Sequence, residues 1–324
     1  MMTYSILWVD DKISDFEELE IISDIRNYID SFALSSNILT YDNIVDAKRS
    51  ISENKFDLVV TDYNINNDIK GSQLIFDIRK REYLTEVLLY SAALPEYLDN
   101  TKKGDLLLDR VTYVMLGSDG YEILPRKIKA LIDVSLKRYC DLTTLRGLVM
   151  AETSSLDSDV TQMLKMYYER IPDSEKETMM NSIDQRIRNS IKQNFMKCSV
   201  CASEGPVFKL SDISFNDLLT RPIFDAYKKA YILDKMLCSK FKDKENIVSF
   251  FKKYCTEIID VRNKLAHVCS RMVSGVEVLE ILNRRTGESE NIYFDAEKCI
   301  DIRKNIMEFN ELFAGIKKMI IDEM

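Results

Sequence analysis

Two different hydrophobic rhythms divide the chain. In the first, short continuous apolar runs of strand length alternate with stretches of helical period. Residues 4–9 (YSILWV) form one such run and end abruptly in Asp10-Asp11. Apolar positions at Phe16, Leu19, Ile22, Ile25 and Ile29 predict a single helix over residues 13–29. A short strand is expected at 37–41 and a helix at 43–54. Residues 56–61 (FDLVVT) form the next strand, closed by Asp62. A helix at 71–82 then leads to the strand VLLY at 87–90, followed by Ser91-Ala92. A further helix precedes a strand at 111–116, and a last helix runs from after Pro125 to about Lys137. Runs apolar on both faces are those of buried parallel strands. Five of them alternating with helices predict a doubly wound α/β sheet over residues 1–140.

From residue 142 the rhythm changes to apolar positions every three or four residues, with few glycines or prolines. Helices are expected at 142–151, 156–170, 174–197, 214–241 and 245–268, with a loop at 198–210. Met150, Met163, Met166, Tyr167 and Tyr168 share a helical face better read as core or subunit contact than as a cofactor site. The period then shortens to two: apolar alternation at 276–282 and 290–294 flanks NRRTGE, a β-hairpin signal. A final helix is expected at 296–319. Residues 141–324 thus read as an all-α bundle carrying a small β-hairpin. The junction around 138–141 has no Pro/Gly/Ser-rich linker and predicts a stiff helix-to-helix passage.

Composition narrows the classes. The chain is 46% hydrophobic and 30% charged, as in ordinary globular proteins. No apolar run approaches the roughly 20 residues that cross a bilayer, and no signal-peptide pattern opens the chain. Its seven cysteines are an odd, scattered set, which points to reduced thiols and a cytoplasmic location. Cys198 and Cys201 have CxxC spacing, but a second pair is missing, so a zinc site is disfavoured. Residues 1–140 hold 17 Lys and Arg against 24 Asp and Glu, a net of −7, while the remainder is near neutral at −1. The acidic first half argues against nucleic-acid binding there.

Chemistry gathers on the predicted strand ends. Asp10 and Asp11 close the first strand, Asp62 the third and Ser91 the fourth, and ligands of such sheets bind at the carboxyl ends of strands. Converging carboxylates repel one another unless a hard cation such as Mg2+ lies among them. A carboxylate beside that ion can act as nucleophile toward a phosphoryl group. The motifs ILWVDD, LVVTDYN and LLYSA resemble those of response-regulator receiver domains, over residues 4 to about 138. The resemblance implies that Asp62 is phosphorylated and that Asp10, Asp11, Asp62 and the backbone carbonyl of Asn64 hold Mg2+. It also implies that Ser91 senses the phosphate and that a sensor histidine kinase is a partner. The family's lysine at the end of strand five is missing, since Leu116 and Gly117 stand there. Arg110, Arg126 and Lys127 are the nearby cations in sequence.

The chain's one histidine, His267, lies late in the helical half, in RNKLAH. On a helix, Ile258, Val261, Leu265 and Val268 form an apolar stripe, while Asp260, Asn263 and His267 fall on a polar one. The segment Arg262-Asn263-Lys264-Leu265-Ala266-His267 resembles the R-x4-H signature of the HEPN superfamily. These are all-α domains, many of them metal-independent ribonucleases and generally dimeric. By that resemblance Arg262, Asn263 and His267 are catalytic, RNA is the substrate and a homodimer forms the cleft. The chemistry suits the residue types: an imidazole titrates near neutrality and a guanidinium stabilises phosphorane charge. In one branch of the superfamily a tyrosine two residues after the histidine is adenylylated; Cys269 occupies that position here.

Together these readings predict a regulated endoribonuclease of a stress, toxin or phage-defence system. In it a receiver-like domain with Mg2+ controls a HEPN-like domain that needs no cofactor. The alternative is a non-catalytic signalling or dimerisation protein. A transcription factor is disfavoured, because no helix-turn-helix or basic recognition helix is present.

Overall fold

The computed structural model describes residues 3–66, 69–80, 85–92, 110–117, 120–136, 142–196, 213–244, 248–274, 276–282 and 289–324. The chain divides into two compact units, Met1–Asp141 and Leu142–Met324.

In the first unit β1 (Thr3–Val9) leads through α1 (Ile13–Glu18) and α2 (Ile21–Asp30) to β2 (Ser35–Tyr41), α3 (Ile44–Glu53) and β3 (Leu58–Asp62). A two-stranded ribbon, β4 (Asn64–Asn66) and β5 (Ile69–Lys70), precedes α4 (Gly71–Lys80), β6 (Glu86–Ser91), β7 (Val111–Met115) and α5 (Gly120–Leu136). The five long strands form one parallel sheet in the order β2-β1-β3-β6-β7. That order, with the first strand inside the second, is the flavodoxin-like doubly wound arrangement. The strands are apolar on both faces because both are covered. Ile6, Trp8, Leu88 and Tyr90 pack with α1, α2 and α5 on one side, and Leu7, Val59, Val87 and Leu89 with α3 and α4 on the other.

Two boundaries differ from the sequence expectation. The single helix over 13–29 is broken at Glu20, which takes a left-handed φ of 57°. Leu19, assigned to the apolar stripe, is 54% exposed. The break resets the phase so that Ile21, Ile22, Ile25 and Ile29 all face the sheet. The last helix begins at Gly120, not after Pro125, because fully buried Leu124 anchors its first turns in the core. The helix expected before β7, the 138–141 junction and the cysteine loop at 198–210 lie outside the described residues.

The second unit opens with α6 (Leu142–Arg170) and α7 (Asp173–Met196), followed by α8 (Phe215–Thr220) and α9 (Ala226–Lys240). A helix in three parts follows: α10 (Phe251–Tyr254), a π-helical turn (Cys255–Ile259) and α11 (Asp260–His267). A three-stranded antiparallel sheet, β8 (Ser270–Val273), β9 (Val276–Leu282) and β10 (Ser289–Tyr293), precedes α12 (Ala296–Glu323). The centre is aromatic: Phe250, Tyr254, Phe309 and Phe313 meet mostly edge to face. Of the five Met and Tyr residues expected on one face, Met163 and Tyr167 are buried as core, Met166 and Tyr168 are half-buried, and Met150 is exposed.

Here too the differences have local causes. The two helices expected over 142–170 are one. Thr153 and Ser154 donate their hydroxyls back to the carbonyls of Val149 and Met150, so the polar stretch does not interrupt the helix. The helix expected over 214–241 is split because Arg221 precedes Pro222 and is driven to extended backbone, ψ 134°. Asp225 then caps α9 by accepting from the Lys228 amide. The next helix starts at Phe251 because one carboxylate oxygen of Asp234 accepts both the Phe250 and Phe251 amides. Strand β8 and the β4–β5 ribbon were not expected; for β8 the Ser274-Gly275 pair between two β-prone runs was the available signal.

Candidate functional site

Parallel pairing places the ends of β1, β3 and β6 on one rim. Val9 lies beside Thr61, and Asp62 beside Tyr90. Asp10, Asp11 and Asp62 therefore converge, with a ligating oxygen from each within 4.8 Å of the others. Among the described residues this is the only such group of metal-capable side chains. Asp10 is buried, Asp62 half-buried and Asp11 exposed, so the cluster opens to solvent on one side.

Asp10 is held from two directions. The Lys12 amide donates to its Oδ1 at 2.7 Å, and the Tyr90 hydroxyl donates to its Oδ2. Tyr90 in turn accepts from Trp8 Nε1 at 3.1 Å, beneath the cluster. Burial raises the Asp10 carboxyl, against the pull of these donors. Burial, then the neighbouring Asp10 charge, pushes Asp62 up to about 6, although the Asn64 and Tyr63 amides favour its ionised form. Burial and Asp10 likewise raise the Tyr90 phenol. Burial is the largest cause of all three shifts and neighbouring negative charge adds to it, so a cation among the carboxylates would favour their ionised forms. The oxygen-only donor set fits Mg2+.

The loop after β3 is shaped by close approach. A Cβ on Gly71 would lie 2.2 Å from the Asp62 carbonyl and 2.9 Å from Thr61 Oγ1. Asn64 begins the ribbon opposite Lys70, which keeps the backbone after Asp62 beside the acidic rim. Ser91 is buried at the end of β6, next to Met115. At the end of β7, Leu116 is tied to Ser91 through its amide at 2.8 Å, and no lysine replaces it there. Arg110 cannot stand in, for it lies at the opposite end of β7 and pairs with Glu86 at 3.3 Å. Arg126 and Lys127 are exposed on α5, and Arg126 donates to the Glu122 carbonyl of its own helix.

The second predicted constellation sits on α11. Asn263 and His267 are exposed on its polar face, and Leu265 is buried on the other. Arg262 is half-buried and turned toward α6, where it pairs with Asp157 at 2.8 Å. Asp157 also accepts from the Tyr254 hydroxyl at 3.0 Å, and burial raises its carboxyl despite the guanidinium. Arg262 additionally donates to Asn263 Oδ1 at 3.3 Å. Just past His267, Arg146 of α6 donates to the Val268 carbonyl at 2.8 Å and closes the helix end. The structure thus brings Arg262 and Asn263 together and leaves His267 facing solvent. Sequence reasoning missed Tyr90, Gly71, Asp157 and Arg146, all of which act across folded distances.

No protein-family description matches the chain, and no curated protein does. Solved structures similar to part of the chain include response-regulator proteins. The response regulator TrrA from Thermotoga maritima, in complex with Mg2+ and BeF, is 23% identical, covering 40% of this chain and 98% of its own, at a TM-score of 0.29. A response-regulator receiver domain protein from Clostridium thermocellum is 17% identical, covering 42% and 95%, at a TM-score of 0.31. Among the described residues, no helix is long and apolar enough to cross a membrane.

Proposed function

We propose that this is a two-part signalling protein in which phosphorylation of Asp62 controls an endoribonuclease centred on His267. The observation that carries the reading is the convergence of Asp10, Asp11 and Asp62 on one rim. Asp10, Asp11, Asp62 and the Asn64 carbonyl are the groups that would hold Mg2+, which neutralises charge on a transferring phosphoryl group when bound. The Asp62 carboxylate, ionised above about pH 6, attacks phosphorus. The donor's phosphorus–oxygen or phosphorus–nitrogen bond breaks, and its acetate or imidazole departs. The Ser91 hydroxyl then donates to a phosphoryl oxygen. A sensor histidine kinase or a small acyl phosphate is the donor class. Incubation with acetyl phosphate and Mg2+ is expected to label wild type and not Asp62→Asn.

In the helical unit His267 takes the proton of a ribose 2′-hydroxyl. That oxygen attacks the adjacent phosphorus, the bond from phosphorus to the 5′-oxygen breaks, and the leaving oxygen takes a proton from water, giving a 2′,3′-cyclic phosphate and a 5′-hydroxyl. Arg262 stabilises the charge that develops on phosphorus. On a helix Arg262 and His267 stand about 140° apart, so a second copy of the chain would complete the cleft. Exposure of His267 supports this reading. Purified protein is expected to cleave total RNA, and His267→Ala is expected not to. RNA left intact by wild type would overturn the nuclease.

One observation favours a second reading, a non-catalytic interaction bundle: Arg262 is engaged by Asp157 and thereby serves the fold. In that case replacing Arg262 lowers the melting temperature and no RNA is cut by any variant.

A further inference from the structure

Tyr90 is an unusual neighbour for an acidic rim. It is 2% exposed and packed among Trp8, Phe16 and Leu124, yet its hydroxyl reaches up to Asp10. The Trp8 indole occupies its acceptor side, so the hydroxyl hydrogen is aimed at Asp10 Oδ2. With the Lys12 amide on Oδ1, neither oxygen is free to swing. The Tyr90 donor belongs to a buried strand and the Lys12 donor is a backbone amide of the turn after β1, so the carboxylate plane is fixed from both sides.

From this geometry we propose that Tyr90 determines which divalent cation the rim accepts, by confining Asp10 to coordination through a single oxygen. The inference rests on the metal-binding reading above. Ca2+ takes six to eight oxygens and uses carboxylates bidentately, whereas Mg2+ demands a near-octahedral set of single-oxygen contacts. A carboxylate whose two oxygens are both tied to donors cannot turn its bidentate edge to one ion, which suits the second ion and penalises the first. Asp11 is exposed and can adapt, so discrimination falls on Asp10.

The test is calorimetric titration of the full chain with MgCl2 and, separately, CaCl2. Wild type is expected to bind Mg2+ more tightly than Ca2+. Tyr90→Phe keeps the ring and loses the hydroxyl, and the Mg2+/Ca2+ affinity ratio is expected to fall about tenfold, the size of effect typical of outer-shell ligand partners. A merely structural role for Tyr90 would change both affinities together and leave the ratio intact. An unchanged ratio overturns the proposal. So does a wild type that binds Ca2+ at least as tightly as Mg2+, a result that decides even where Tyr90→Phe does not fold. Heat from neither ion in wild type removes the metal-binding reading itself, and so is separable from failure of the selectivity argument.

Discussion

Asp62 shows how a single side chain can be kept in a state its environment disfavours. Its carboxyl is raised from 3.8 to about 6, so the folded protein binds a proton there more tightly than the unfolded chain does. Stability from this group is therefore fully present below the unfolded value and is lost as pH rises through about 6. Two pKa units amount to about 3 kcal/mol, and partial exposure reduces this to about 1–2 kcal/mol. Asp62→Asn is expected to stabilise the metal-free protein by that amount at pH 8 and by roughly half at pH 5. Urea unfolding at the two pH values, in EDTA, measures it, and excess Mg2+ should erase the difference. Gly71 is constrained from the other side. Its Cβ would meet the Asp62 carbonyl, so Gly71→Ala is expected to cost about 1–3 kcal/mol and to weaken labelling of Asp62. An alanine variant with wild-type unfolding would show that the loop yields freely. The placement of Asp10, Asp11, Asp62 and Ser91 at strand ends was legible in the sequence because each closes or comes just after a buried apolar run. Tyr90 was not, because its link to Asp10 spans 80 residues and depends on the lateral order of β1, β3 and β6.

Among the elements, the five long parallel strands were read well, and helix ends and the short strands β4, β5 and β8 less well, for a physical reason. A strand is signalled by its own apolar run, whereas a helix end depends on single residues and on what they touch. Glu20 illustrates this: period alone could not show that the chain turns left-handed there. Since only glycine and asparagine tolerate that backbone cheaply, Glu20→Gly is expected to raise stability by about 1 kcal/mol, read as a higher melting temperature. The π-helical turn at Cys255–Ile259 carries a larger consequence. In a regular helix Tyr254 and Arg262 would lie about 80° apart. One bulged residue reduces that to about 20° and lets both meet Asp157. Deleting exposed Thr256, within the turn, should restore regular helix while keeping both residues on one face. The variant is expected to melt cooperatively within a few degrees of wild type. A collapse of the melting transition would mean the bulge itself is required.

For the whole molecule, the issue is whether the acidic unit governs the helical one. The first unit is acidic and the second near neutral, so the proposed RNA substrate would meet less repulsion at the second. On the function proposed above, control comes through a change of state at Asp62, the rim carboxylate assigned there as the phosphoacceptor. The missing lysine at Leu116 leaves Ser91 as the contact identified for reading that change, and its carbonyl is tied to the Leu116 amide. A phosphoryl group drawing on the Ser91 hydroxyl would act on β7 through that bond. RNA cleavage is accordingly expected to change when wild type is treated with acetyl phosphate and Mg2+, and to stay constant in Asp62→Asn and in Ser91→Ala. The comparison separates the parts of the proposal. If Asp62 is labelled while cleavage is indifferent to it, the acidic rim is a phosphoacceptor that does not govern the nuclease. If cleavage responds equally in Asp62→Asn, the signal enters elsewhere. If Ser91→Ala alone still responds, the strand-end coupling is wrong although the phosphorylation stands. Stability must be followed in parallel, because Arg262 serves the fold as well as the proposed chemistry. Loss of cleavage in Arg262→Ala is therefore informative only beside His267→Ala, whose exposed side chain predicts a melting temperature close to that of wild type.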